Sequence, residues 1–248
     1  MSQRTLLLIN PNTSDQVTAT LQRVVGATLG NDWQVVAQSA PFGAPYIACE
    51  TSYAVGAHAA LAVYRSHIEA GLRPDAVLVA CFGDPGVAAL QTLAPVPVYG
   101  LAEASMRHVN DLGRFAVVTG GAAWEPMIWR LARGLGTMPE LVAVQTVSLS
   151  GADIMQQPQR ATALLAGAVE QAQQAGASQV LLGGAGLAGM APALQAQAGL
   201  PVHDSVAVSA QVIAAQPVTQ EGAQPPTAQW LQPLQSLRWW TEEAWTTT

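Results

Sequence analysis

The chain carries a weak copy of itself. Val77-Leu78-Val79-Ala80-Cys81-Phe82-Gly83-Asp84-Pro85-Gly86 lies over Val180-Leu181-Leu182-Gly183-Gly184-Ala185-Gly186-Leu187-Ala188-Gly189 at an offset of 103 positions. Just after each, Pro97-Val98-Tyr99-Gly100 echoes Pro201-Val202-His203-Asp204 at an offset of 104. Each longer segment is an apolar run ending in glycines, the pattern of a buried parallel strand that runs into a loop. A unit present twice predicts one α/β half built twice. Two such halves facing each other would enclose a cleft lined by strand-end loops from both, where open α/β folds place ligands. In that cleft the counterpart of Cys81 is Gly184.

The rest of the chain fits this frame. Apolar runs at 5–9, 33–38, 96–99, 115–119 and 141–147 read as strands, with 76–80 and 179–182 in the repeat. Helical patterns at 14–28, 52–70, 87–93, 100–110 and 160–175 alternate with them. That alternation predicts βαβ units, a parallel sheet in each half and right-handed crossovers. The expected division is residues 1–98 with about 206–248 in the first half, and 99–205 in the second. Thr13 with Gln16 has the spacing of a capping box. Residues 41–46 hold enough Pro and Gly for a shaped lid or a rigid turn. His58 and His67 lie nine positions apart and do not share a helix face, so they read as surface or edge histidines. Cys49 reads as a non-catalytic loop thiol. Residues 216–229, rich in Pro, Gln, Thr and Ala, read as a linker. Trp230, Trp239, Trp240 and Trp245 beyond it need a surface to bury against, either the first half or another subunit.

Composition excludes several functions. Ten Lys and Arg among 248 residues, at a net charge of −6, supply no basic patch for nucleic acid. Two cysteines form no disulfide framework in a chain this long. With no basic leader and no apolar run that spans a bilayer, the expected setting is cytoplasmic, without a membrane partner. No spacing suits a metal, a dinucleotide or a Walker phosphate site.

Two strand-end loops carry the chemistry. Cys81 stands between an apolar run and a helix expected at 87, whose free N–H groups would stabilise a thiolate or an anion. The competing role is a buried cysteine acting as a small hydrophobe. Asn10-Pro11-Asn12-Thr13-Ser14 is either a capped strand-to-helix turn or a cradle for an anion or amide.

Taken with Val118-Thr119-Gly120-Gly121, Leu182-Gly183-Gly184-Ala185-Gly186 and Val202-His203-Asp204, these loops resemble the aspartate/glutamate/hydantoin racemase superfamily. The likeness is strongest to its hydantoin and allantoin racemase branch, and it spans about residues 5–212. It implies two pseudosymmetric Rossmann-like parallel-sheet α/β halves with the active site between them, no cofactor and no metal. The implied substrate is a small hydantoin, ureide or amino-acid derivative. In that family two cysteines flank the substrate α-carbon, one removing the proton while the other returns one. Cys81 corresponds to the first, and Gly184 stands where the second belongs. Asn10, Asn12, Thr13, Ser14, Phe82, Gly83, Thr119, Gly120, Gly121 and Ala185 are the substrate-binding residues the resemblance implies. His203 is either a substitute acid on the Gly184 side or a structural hydrogen-bonding residue. Three readings follow: a racemase altered by Gly184, a one-thiol lyase resembling arylmalonate decarboxylase, and a non-catalytic binder of small carboxylates or ureides. A homo-oligomer is compatible with all three.

Overall fold

The computed structural model describes residues 3–149, 153 and 156–216. The expectations for the tryptophan-rich tail lie outside these residues.

The first sheet is built around β1 (Arg4–Asn10), whose Leu6, Leu7, Leu8 and Ile9 are fully buried. Burial on both faces is what a central parallel strand requires, and a continuous apolar run supplies it. After β1 come α1 (Asp15–Leu29), β2 (Trp33–Ser39), α2 (Glu50–Glu69), β3 (Ala76–Val79), α3 (Val87–Leu93) and β4 (Val98–Gly100). The strands are parallel in the order β2-β1-β3-β4. Helix α4 (Leu101–Asn110) then leads into the second half. There β5 (Phe115–Gly120), α5 (Trp124–Leu135), β6 (Leu141–Val147), α6 (Pro158–Gln174), β7 (Gln179–Leu182), α7 (Ala191–Gln195), β8 (Val202–Asp204) and α8 (Ser205–Ala215) follow. Their strands are also parallel, in the order β6-β5-β7-β8.

The repeat read from sequence is present at the level of atoms. Val77 pairs with Val98 in the first sheet as Val180 pairs with Val202 in the second. Ala80 N donates to Ile9 O (2.8 Å), and Gly183 N to Val118 O (2.9 Å). Asp84 N donates to Cys81 O (3.0 Å), and Leu187 N to Gly184 O (3.0 Å). The loop after β3 and the loop after β7 therefore share a backbone scheme, with Cys81 and Gly184 at the same place in it.

One core cluster joins the halves, with Leu6, Leu21, Leu101, Phe115, Ile128 and Val206 among its members. Helix α8 packs on both α1 and α4, and Ser209 Oγ donates to Leu101 O (3.0 Å). The boundary expected between 98 and 99 falls inside β4, which completes the first sheet.

Three local expectations change. The α1 cap is Ser14, not Thr13: Ser14 Oγ accepts from Val17 N at 3.3 Å. The segment between β5 and β6, for which the sequence patterns above give no helix, forms α5, whose buried Trp124, Met127, Ile128 and Ala132 have the spacing of one helical face. His67 is not on the surface. It is 2% exposed, and neither ring nitrogen has a hydrogen-bond partner among the described residues.

His67 yields a stability prediction. Burial, with Arg73 as a lesser cause, lowers its pKa below the usual 6.5. The folded state therefore prefers the neutral ring, and this contribution is lost as pH falls from about 6.5 through the lower folded-state value. His67→Leu removes the orphaned ring and raises stability by about 1–3 kcal/mol near neutrality. Urea titrations of both proteins should show that advantage growing from pH 8 to pH 5. A constant difference would contradict the assignment.

Candidate active site

The loops after β1, β3, β5 and β7 converge on a cavity of about 90 Å³ between the halves. Cys81 and Phe82 line it from the first half, and Gly183, Gly184 and Ala185 from the second. Asn12 and Ser14 come from the β1 loop, and Thr119 and Gly120 from the end of β5. Eight of the residues named from sequence thus meet in one pocket: Asn12, Ser14, Cys81, Phe82, Thr119, Gly120, Gly184 and Ala185.

Five others lie elsewhere. Asn10 is fully buried, and its side-chain amide donates to Asn12 Oδ1 (2.9 Å), Ser14 O (3.2 Å) and Thr18 Oγ1 (2.9 Å). Its Oδ1 accepts from Asn12 N at 3.2 Å, so Asn10 sets the position of Asn12. Thr13 N donates to Ala44 O (3.1 Å), pinning the segment between β2 and α2. Gly83 packs against Trp124, and Gly121 N donates to Val147 O (2.9 Å). His203 sits on β8 away from the pocket lining, with Nε2 buried and without a partner among the described residues. Burial and then His108 lower its pKa.

Residues not named as substrate-binding or catalytic from sequence complete the walls, among them part of the 41–46 segment. Gln16, Gln156 and Leu187 line the pocket, as do Pro45, Tyr46, Ile47 and Trp124. Tyr46 Oη donates to Gly120 O (3.3 Å), and Trp124 Nε1 donates to Ile47 O (3.2 Å). These bonds tie the segment after β2 in one half to β5 and α5 in the other. They link residues 74 and 77 positions apart, and local pattern carries no signal for such pairings.

The electrostatics of Cys81 differ from the expectation. Its side chain is buried, and no hydrogen bond reaches Sγ among the described residues. Burial pushes the thiol well above its ordinary range, and the nearby Asp84 carboxylate pushes it further. Helix α3 begins only at Val87, after an N-cap glycine, and does not offset this. Burial in the resting pocket therefore favours the protonated thiol over the thiolate.

Asp84 holds the Cys81 loop in place. Its φ of +60° is the only positive value outside glycine among the described residues. Its carboxylate accepts from Ala102 N (2.8 Å) and Glu103 N (2.6 Å) in the first turn of α4. Burial nevertheless raises its pKa to about 7. The carboxylate fills the space that a side chain on Gly100 would take. In the second half the residue matching Gly100 is Asp204, and the residue matching Asp84 is Leu187. Asp204 accepts from Val206 N (2.9 Å) and Ala207 N (3.3 Å) in its own helix α8, and from Gly189 N in the β7 loop. Each half thus fastens its strand-end loop to the next helix with one carboxylate, supplied from the loop in the first half and from the strand end in the second.

No charged side chain lines the pocket among the described residues. Nor does any group of three His, Cys, Asp or Glu among them sit close enough to hold a metal ion. No helix among them is long and apolar enough to cross a membrane.

Comparison with known proteins bears on this geometry. A profile of the Asp/Glu/Hydantoin racemase family matches residues 6–213. A hydantoin racemase of Rhizobium meliloti is 31% identical over 209 residues, 83% of this chain and 85% of that protein. The structure of an allantoin racemase from Klebsiella pneumoniae superposes with a TM-score of 0.80 at 26% identity, covering 91% of this chain and 96% of that one. Arylmalonate decarboxylase shares the fold at a TM-score of 0.58 and 19% identity, covering 85% and 92%. Over nearly all of its described length the chain belongs to the Asp/Glu/hydantoin racemase family, and with it to the racemase class of isomerases.

Proposed function

We propose that the protein is a cofactor-independent racemase of a neutral cyclic ureide or amino-acid derivative, of the 5-substituted hydantoin or allantoin type. In this reading Cys81 carries the α-proton on one face of the substrate. The observation that carries it is the placement of Cys81 and Gly184 in one pocket, at matching points of two loops with the same backbone hydrogen bonds.

The lining supports a neutral substrate. Asn12, Ser14, Gln16, Thr119 and Gln156 offer amide and hydroxyl groups, which match the alternating N–H and C=O of a ureide. A free dicarboxylate would meet no cationic side chain there. Thr119 Oγ1 and the backbone around Gly120 and Gly184 are the groups available to an enolate oxygen as charge develops. The thiolate form of Cys81 takes the α-proton, the thiol so formed exchanges its proton with solvent, and it then returns one to the same face of the planar carbanion, regenerating the thiolate. Gly184 itself offers no proton and no base at the point that matches Cys81. An acid–base group contributes typically ~10²–10⁴-fold, so exchange with retention should outrun inversion.

A protonated thiol opposite a glycine also favours a second reading. One donor suffices to quench a carbanion formed by loss of CO₂, as in a lyase resembling arylmalonate decarboxylase. Each enantiomer of allantoin and of 5-methylhydantoin, incubated in D₂O and followed by NMR and polarimetry, separates the readings once spontaneous exchange is subtracted. The proposal expects catalysed deuterium entry into one enantiomer, with rotation decaying at least tenfold more slowly. Equal exchange and inversion from both enantiomers would defeat the one-thiol assignment. Silence toward ureides with CO₂ release from a 2-arylmalonate would select the lyase, and binding without either reaction would make the protein a binder.

A further inference from the structure

Trp124 stands between two cavities. One is the reaction pocket. The other, of about 200 Å³, is lined by Trp124, Tyr53, Gly83, Met127, Leu131 and Arg130. Tyr53 comes from α2, Gly83 from the Cys81 loop, and Met127, Arg130 and Leu131 from α5. This chamber therefore also lies between the halves, two residues along the chain from Cys81. Its one cation is already matched, since Arg130 holds Glu50 through both guanidinium nitrogens, Nη2 to Oε2 at 3.1 Å. What remains for a ligand is apolar and aromatic surface.

The indole is clamped where it stands. Nε1 donates to Ile47 O at 3.2 Å, and Trp124 N donates to Gly121 O at 3.1 Å. Its six-membered ring lies flush on Gly83, so close that a Cβ there would be 2.6 Å from Cζ3. Only 5% of the residue is exposed. The reaction pocket, at about 90 Å³, is well below the roughly 300–1,000 Å³ of sites for drug-sized ligands. It has room for a small ring and little more. The chamber exceeds the ~150 Å³ at which an apolar cavity admits benzene.

We infer that Trp124 is the specificity-determining residue of this site: its indole blocks the passage between the two cavities and limits the reacting carbon to small substituents. The chamber beyond it is a subsite for an aryl or branched-alkyl substituent, walled off from the reaction pocket by the indole in the native protein and joined to that pocket by its loss. The identity of the ring depends on the function proposed above; the existence of the chamber does not.

The test uses Trp124→Ala and, should that variant fold poorly, Trp124→Leu, which keeps apolar bulk but lacks the six-membered ring. Calorimetry with 5-methylhydantoin and 5-benzylhydantoin should show wild type preferring the methyl compound. The variants should shift the ratio of affinities at least tenfold toward benzyl. Leu131→Phe added to Trp124→Leu refills the chamber and should restore the wild-type preference. A substrate-independent arm uses toluene at saturation, which should raise the melting temperature of the variants by several degrees more than that of wild type, because only the variants join the chamber to the reaction pocket in one larger apolar site. A toluene shift beyond that of wild type without hydantoin binding supports the chamber and rejects the ureide reading. Folded variants with no toluene shift beyond that of wild type, or with an unchanged benzyl-to-methyl ratio, overturn the role given to Trp124.

Discussion

Cys81→Ser lowers α-proton exchange by ~10²-fold or more while the protein stays folded. Serine has nearly the same shape as cysteine, but its hydroxyl is a far weaker acid and its alkoxide is out of reach at neutral pH. Among the described lining residues Asn12, Gln16 and Thr119 do not ionise near pH 7 and the Tyr46 hydroxyl donates to Gly120 O, which leaves the Cys81 thiol as the group to carry a proton to carbon. Cys81 is buried without a hydrogen bond to its sulfur among the described residues. A serine hydroxyl there goes unsatisfied, so stability should fall by about 1–3 kcal/mol, a cost separable from the catalytic loss. Cys49→Ser is the control. Cys49 is exposed at the start of α2, where Ser52 hydrogen bonds draw its pKa down, and it has no part in the pocket. NMR exchange rates and thermal melts on the three proteins decide the matter. If the Cys81 variant retains more than a tenth of wild-type exchange, another group carries the proton.

How much of this site was legible in the sequence depends on the range of the interactions involved. The loop after β3 and its copy after β7 could be matched because each is a short run of adjacent residues, and the match extends to individual backbone hydrogen bonds. Asn12, Thr119 and Ala185 could be placed because strand ends converge in any such fold. Trp124 could not. Its role depends on a bond to Ile47 and on contact with Gly83, and neither partner is near it in the chain. The exchange of carboxylates between the halves was equally hidden. Gly100 reads as an ordinary helix-entry glycine until Asp84 is seen filling its side-chain space. His203 looked available for proton transfer because it ends a strand at the right point of the repeat. β8 is an edge strand, however, and His203 is not among the residues that line the pocket. The environment of the Cys81 thiol is hidden for a related reason. A helix following a cysteine suggests a lowered pKa, whereas burial, which sequence does not display, outweighs it here.

Gly184→Cys should convert one-sided exchange into racemisation. A Cβ on Gly184 would meet nothing closer than Thr119 Oγ1 at 3.8 Å and Leu187 side-chain carbons at 3.9 Å, ordinary contact distances. The new thiol would enter the pocket that Cys81 lines, at the matching point of the other half. Space is therefore not the obstacle, but the backbone is strained for any side chain. Gly184 has φ +144°, a region that L-residues avoid, and forcing a cysteine into it costs about 1–3 kcal/mol. No full helix follows to stabilise a thiolate, only a single 3₁₀ turn over Ala185–Leu187. The thiol should thus arrive protonated, as an acid at the point where glycine offers none. Gly184→Ala separates the two effects, since it carries the same backbone strain and no proton. Urea titration should show similar losses of stability in both variants. Polarimetry against deuterium exchange should show the inversion-to-exchange ratio rising at least tenfold in the cysteine variant alone, toward parity from either enantiomer. The acid–base range of ~10²–10⁴ leaves room for that gain even if the new group is imperfectly placed. A folded Gly184→Cys protein that inverts no faster than Gly184→Ala would mean that residue 184 does not face the reacting carbon, and a mechanism with Cys81 on one face and this loop on the other would have to be abandoned.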